Sequence, residues 1–237
     1  MFVRIRHYIP NFLTFLSLSF GLTSMMMACQ GNLTLAGYLI FGSFIMDALD
    51  GIIARKMETQ STLGMQLDSL ADLSGLGIAP LVLLFNHLSS RGTVILWVIP
   101  SLNFTLWASA FRLARFNLLP PKSDIQKETI GLTLFHTGFM ITVAVLSDLS
   151  FSSTVPVGVY AGVLLVLSLS MVCKLYFPPI PWFFSSRVKT IAISLCFIVG
   201  LIFLPLFTTL LLFSIAHLVF SGSRGLYLKI IKQTSAS

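Results

Sequence analysis

The sequence predicts an all-α polytopic membrane bundle of about eight transmembrane helices. Three observations predict it. The 237 residues are 56% hydrophobic and 10% charged, where a soluble domain is about 25% charged, and the mean hydropathy is +0.92. Apolar runs long enough to span a bilayer recur along the chain. Basic residues gather in alternate connections between those runs. An ordinary soluble domain, a disordered chain and a nucleic-acid module are excluded. The net charge of +7 reads as cytoplasmic loops meeting anionic headgroups, and no nucleic-acid partner is expected. One membrane domain over residues 1–237 accounts for the length.

The first predicted span runs from Ile9 to Ala28 and is closed by Gln30-Gly31-Asn32. Arg4 and Arg6 ahead of it resemble a signal peptide, but the run is long enough to span and more spans follow, so it reads as an uncleaved helix. The second runs from Leu33 to about Ile53, and the third from about Leu67 to His87. The fourth is Thr93 to Phe116, with Pro100 expected to kink it. The fifth is Ile130 to Leu146, and the sixth Val155 to Tyr176. The last apolar stretch would be about 51 Å long as one helix, against a core of about 30 Å. It divides at Pro205 into Val188–Leu204 and Leu206–Ser221.

With the N-terminus in the cytoplasm, fourteen of the fifteen Lys and Arg lie inside and only Arg91 outside. Seven spans would move Arg224, Lys229 and Lys232 outside, so the charges favour eight, with both termini cytosolic. Pro120-Pro121 and Pro178-Pro179-Ile180-Pro181 mark cytoplasmic loops. Phe177, Trp182, Phe183 and Phe184 read as an interfacial belt. Cys29, Cys173 and Cys196 have no metal or redox spacing. The four histidines, His7, His87, His136 and His217, are scattered and read as packed or interfacial. No internal repeat is visible, which weighs against an inverted-repeat transporter.

Four of the eight acids, Asp47, Asp50, Asp68 and Asp72, fall within 26 residues. The pairs are three and four apart, so each pair shares one helix face. A short connection between the two helices makes them antiparallel neighbours, and the four carboxylates converge just inside the cytoplasmic surface. A charge costs about 2.5–3.5 kcal/mol at the centre of a span and less near its end. Arg55 and Lys56 are too few to offset four acids, so divalent metal is the better partner. An all-carboxylate set suits Mg²⁺ or Mn²⁺, and four carboxylates can hold two ions that clamp a phosphoryl group. Gly51 leaves room for a group to approach the backbone. Arg55 suits a phosphate. Gly64 is expected to break the connection before the third helix. Of the remaining acids, Glu58, Asp124 and Glu128 are cytosolic loop residues and Asp148 is external.

The string Asp47-x2-Asp50-Gly51-x2-Ala54-Arg55-x8-Gly64-x3-Asp68-x3-Asp72 resembles the signature of the CDP-alcohol phosphatidyltransferase family, with all eight fixed residues present. The resemblance implies transfer of a phosphatidyl group from a CDP-linked lipid to an alcohol, with release of CMP. It further implies two divalent ions at the cytosolic face, a six-helix core and a homodimer. Asp47, Asp50, Asp68 and Asp72 would be metal ligands, and Asp72 also the general base. Gly51, Ala54 and Gly64 would shape the cytidine site, and Arg55 would contact the donor diphosphate.

Further stretches resemble the family's bacterial serine-using branch: Ile9-Pro10-Asn11-Phe12-Leu13-Thr14, Leu67-Asp68-Ser69-Leu70-Ala71-Asp72, Gly77-Ile78-Ala79-Pro80 and 111–117. Two helices beyond the six-helix core also suit it. The glycerophosphate-using branch typically has Pro and Lys where this chain has Ser69 and Leu73. One departure is Ile130-Gly131-Leu132-Thr133-Leu134, where the serine branch commonly has Gly-Leu-Pro-Thr-Pro. Arg112, Arg115 and Asn117 are candidates for the acceptor carboxylate or a donor phosphate, or else form a positive-inside anchor at a helix C-terminus, where cations such as the two arginines are favoured. Lys122 and Lys127 read as ordinary loop charges.

The expected reaction joins CDP-diacylglycerol and L-serine in the bacterial cytoplasmic membrane, among membrane lipids. Alternatives are another acceptor (glycerol 3-phosphate, inositol phosphate or choline), an aspartate-rich prenyltransferase, and a metal-cation transporter.

Overall fold

The computed structural model describes residues 2–59, 61–92, 96, 98–118, 129–150, 155–177, 194–201 and 204–234. The side chains of residues 2–7, 129, 176, 177 and 228–234 are outside the description too. Expectations for Arg4, Arg6, His7, Pro120-Pro121, Lys122, Asp124, Lys127, Glu128, the prolines of 178–181, Trp182, Phe183, Phe184, Arg187, Val188, Lys189, Lys229 and Lys232 therefore lie outside it.

The chain is an all-α bundle. Its helices are α1 (Phe2–Cys29), α2 (Leu33–Lys56), α3 (Thr62–Asp72), a π-helical segment (Leu73–Ile78), α4 (Ala79–Ser90), α5 (Ile99–Asn117), α6 (Leu134–Ser150), α7 (Val157–Val172), α8 (the helical residues 194–201) and α9 (Leu206–Thr234). Counting 62–90 as one rod gives the expected eight. Four stretches are long and apolar enough to cross a bilayer: Tyr8–Cys29, Leu33–Lys56, Thr62–Ser90 and Leu206–Tyr227. Helices α6 and α7 are apolar but shorter. Large apolar side chains face outward, Trp107 at 67% exposure and Val219 at 66%. Lipid makes that surface favourable where water would not. The protein is a membrane protein.

Small residues let the first helices close on one another. A Cβ on Gly21 of α1 would sit 2.7 Å from the Gly75 Cα of the π segment. Ser17 and Ser43 exchange a 2.9 Å hydroxyl contact between α1 and α2, and the Ser24 hydroxyl donates to the Ala36 carbonyl at 2.8 Å. Asn32 caps α2 through the Leu35 N–H, as the break at Gln30-Gly31-Asn32 suggests.

The turn from α2 to α3 is a Schellman closure. The Thr59 N–H bonds the Ala54 carbonyl and the Glu58 N–H the Arg55 carbonyl, with Glu58 at φ 55°. Ser61 then caps α3 by accepting from the Gly64 N–H at 3.0 Å. Gly64 thus lies in the first turn of α3 and does not break the connection. A Cβ there would come within 3.1 Å of the capping oxygen.

The π segment was not legible in the sequence. Pro80 has no N–H for the Leu76 carbonyl four residues earlier, and the widened turn ends at Ile78, just before that proline. The freed Leu76 carbonyl lies where a Cβ on Gly138 of α6 would be, so only glycine fits there.

Several boundaries differ from expectation. Helix α5 begins at Ile99, so Pro100 sits in its first turn and makes no kink. Helix α6 begins at Leu134, four residues after Ile130, and α7 ends at Val172, before Tyr176. The intervening residues pair as two short strands, β1 (Thr129–Ile130) and β2 (Tyr176–Phe177), with Thr129 opposite Phe177. Gly131 at φ +78° turns the chain from β1 toward α6. The predicted division at Pro205 is observed, with a bend at 204, and α9 continues to Thr234, past the expected Ser221.

At the far end of α4 and α6, Asp148 is buried. Its Oδ2 lies 2.8 Å from Arg91 Nη1 and 2.8 Å from His87 Nε2, and accepts from the Tyr160 hydroxyl at 2.9 Å.

Candidate active site

Helices α2 and α3 run antiparallel from their tight turn and present the acids to each other. Asp47, Asp50 and Asp68 each offer an oxygen, and the three oxygens lie within 4.8 Å of one another. Asp72, one helical turn beyond Asp68, lies against Asp47. Like charges this close repel strongly in a medium of low dielectric.

Protein cations do not balance them. Among the described residues, ion pairs within 4.0 Å occur only on Asp148, at the other end of the bundle. Asp50 is buried, and its Oδ2 accepts from the Thr14 hydroxyl of α1 at 2.7 Å. Asp72 Oδ1 is buried with no donor, and Arg112, beside Asp72, has a buried Nε with no acceptor. An all-carboxylate cluster with an orphaned oxygen fits a hard divalent cation, which Asp47, Asp50 and Asp68 could hold, with Asp72 beside them.

A cavity of about 210 Å³ opens beside the cluster. Asp47, Asp68, Asp72 and Arg112 line it, with Ser69 and Asn117. Leu76, Leu113, Phe116 and Leu134 give it an apolar side. It is smaller than the roughly 300–1,000 Å³ of drug-sized sites, the scale of a small polar molecule.

The other candidate residues divide into two groups. Gly51 lies under Arg55: a Cβ on it would be 3.4 Å from Arg55 Nη1. Arg55 is exposed and Ala54 half-buried on that same turn, while Gly64 sits at the α3 cap. Asn117 faces the cavity and is bonded to Ser69 at 2.9 Å. Arg115 does not line it. Its guanidinium donates to the carbonyls of Val172, Ile130 and Met171 at 3.1–3.4 Å, tying the end of α7 to β1.

Sequence reasoning assigned no role to Thr14, Ser69, or Thr133–Phe135 at the cavity wall. Thr14 and Ser69 lay inside stretches that carried the resemblance, and Met65 shares the α3 face of Asp68 and Asp72 by spacing. Thr133 and Leu134 lay in the stretch that departs from the serine branch, and nothing in the local pattern marks Phe135.

Comparison with known proteins agrees with the site. A CDP-diacylglycerol–serine O-phosphatidyltransferase from Helicobacter pylori is 27% identical over 226 residues, covering 93% of this chain and 92% of the relative. One of the same name from Methanocaldococcus jannaschii is 35% identical over 131 residues, 55% of this chain and 59% of the relative. An archaetidylserine synthase from Methanothermobacter thermautotrophicus is 29% identical over 177 residues, 72% and 69% of the two chains. The family profile described as CDP-alcohol phosphatidyltransferase matches residues 7–173, a span that holds the acid cluster and the cavity. The chain belongs to the CDP-alcohol phosphatidyltransferase family of enzymes.

Proposed function

We propose that the protein transfers the phosphatidyl group of CDP-diacylglycerol to the hydroxyl of L-serine, forming phosphatidylserine and CMP. The observation that carries this is the convergence of three carboxylate oxygens within 4.8 Å beside a small polar cavity. The names of the relatives support serine as acceptor.

Asp72 takes the proton of the serine hydroxyl. The serine oxygen then bonds to the lipid-side phosphorus, and the bond from that phosphorus to the oxygen of CMP breaks. Arg55, over Gly51, receives the donor diphosphate, and Gly51, Ala54 and Gly64 shape the cytidine site. Arg112 and Asn117 face the acceptor, and Arg115 positions that wall from behind. Two Mg²⁺ or Mn²⁺ ions, when bound to the four aspartates, supply charge neutralisation for the diphosphate and the departing phosphate.

Arg55, Lys56, Arg112 and Arg115 share the end of the bundle that carries the acids, which supports a cytosolic site in the bacterial cytoplasmic membrane. The family resemblance carries the expectation of a homodimer, to be checked by the mass of the detergent-solubilised protein.

The deciding experiment incubates the purified protein with CDP-diacylglycerol and Mg²⁺ or Mn²⁺. CMP release is followed with L-serine, glycerol 3-phosphate, inositol phosphate and choline in turn. Release with L-serine above the rest is expected. Release only with another alcohol would replace the acceptor, and metal flux without CMP release would replace the enzyme.

A further inference from the structure

Ser69 and Asn117 come from helices α3 and α5, 48 positions apart, and meet in the cavity wall. Asn117 Nδ2 donates to Ser69 Oγ at 2.9 Å. The single Ser69 hydroxyl hydrogen has two acceptors in reach, the Met65 carbonyl at 3.0 Å and Asn117 Oδ1 at 3.2 Å. A helical serine commonly bonds the carbonyl four residues back. With its hydrogen on Met65, Ser69 receives the amide N–H and holds the Asn117 side chain in one orientation. Asn117 Oδ1 then keeps its lone pairs for a ligand.

The same cavity contains Arg112, whose Nε is buried without an acceptor, and Asp72, whose Oδ1 is buried without a donor. The first turn of α6 also faces it through Thr133, Leu134 and Phe135, an end that favours negative charge. The cavity thus offers three complementary places: a carboxylate for a hydroxyl, a guanidinium for a carboxylate, and an amide oxygen for an ammonium. A small hydroxy amino acid carries those three groups.

We infer that Asn117 reads the ammonium group of the acceptor through Oδ1, and that Ser69 is the positioning residue that aims it. The inference rests on the serine-transferase reading above. Ser69 touches no reacting atom, and its effect passes through the amide of Asn117. A site built to bond an amine leaves a polar group unpaired when the amine is missing, so it discriminates against the amine-free analogue.

The test compares the wild-type chain with Asn117→Ala, Ser69→Ala and Ser69→Thr in CDP-diacylglycerol and Mg²⁺ or Mn²⁺. Acceptors are L-serine and 3-hydroxypropanoate, which lacks only the amine, and melting in detergent confirms folding. In Asn117→Ala the KM for L-serine should rise about tenfold, with the KM for CDP-diacylglycerol unchanged. The preference for L-serine over 3-hydroxypropanoate should collapse. Ser69→Ala should raise the same KM several-fold, and Ser69→Thr, which keeps the hydroxyl, should restore it. An unchanged KM for L-serine in Asn117→Ala overturns the inference, as does an equal rise for both acceptors, which would mark a merely structural pair. If the wild-type chain releases CMP with another alcohol but not with L-serine, the serine reading itself falls.

Discussion

The Thr14 hydroxyl on α1 donates a 2.7 Å hydrogen bond to Asp50 Oδ2 on α2. Asp50 is the most buried member of the carboxylate triad of Asp47, Asp50 and Asp68, and this bond fixes which oxygen it turns toward the cluster. Replacing Thr14 by Val keeps the shape and removes the donor. A hydrogen bond to a charged group contributes about 1.5–3 kcal/mol, so activity at low Mg²⁺ should fall at least about tenfold. Thr14→Ser should retain it. A Mg²⁺ activation curve reads the difference, and an unchanged curve for the Val variant would show that the bond does not position Asp50.

Asp68→Asn and Asp72→Asn test the chemistry directly. Each removes a charge from a crowded anionic cluster without changing its volume. CMP release should fall by at least about 100-fold, while the melting temperature in detergent stays level or rises, because repulsion is relieved. Unimpaired turnover in both variants would sink the proposed mechanism.

The acid cluster was legible because helical spacing is regular. Residues three and four apart share a face whatever the rest of the fold does. Thr14 and Asp50 are 36 positions apart, and Ser69 and Asn117 are 48 apart. Those pairings depend on how α1 and α5 are rotated against their neighbours, which hydropathy does not encode. The expected ends of the fifth and sixth helices failed for a related reason. Apolar residues continue through Ile130 and Tyr176, but hydropathy gives no sign of the positive φ of Gly131 or of the carbonyls that Arg115 collects.

Arg115 and Arg112 should separate in experiment. Arg115 donates to three backbone carbonyls through its planar fork, a geometry that Lys lacks. Arg115→Ala and Arg115→Lys should both lower the melting temperature and leave the KM for L-serine near wild type. Arg112→Ala should raise that KM about tenfold or more. A selective KM defect in Arg115→Lys at full stability would instead place Arg115 in contact with substrate.

Gly21 and Gly75 set how closely α1 meets the rod that carries Asp68 and Asp72. A side chain at Gly21 would press on the Gly75 backbone, 2.7 Å from its Cβ, and backbone cannot move aside. Gly21→Val should cost about 1–3 kcal/mol through overpacking, seen as a lower melting temperature. Gly162 in α7 is the control, because a Cβ there meets nothing within 4 Å. Gly162→Ala should be neutral or stabilising by about 0.5–1 kcal/mol. Equal melting of both variants would refute the close-packing role of Gly21.

Asp148 tests whether the far end of the bundle is structural. Its Oδ2 is shared by Arg91, His87 and Tyr160, all drawn from α4, α7 or the turn after α4. Asp148→Ala leaves the Arg91 charge facing a site built for an anion, and breaking a buried pair costs about 3–5 kcal/mol. Asp148→Asn keeps the volume and part of the bonding, so its loss should be smaller. His87 lies fifteen residues beyond Asp72 along the same rod, about 22 Å at the helical rise, so the acid cluster should not sense the change. Both variants should melt earlier in detergent yet release CMP within about twofold of wild type per folded molecule. Loss of turnover in Asp148→Asn at unchanged melting temperature would mean that this network acts on the site and does not merely hold α4, α6 and α7 together.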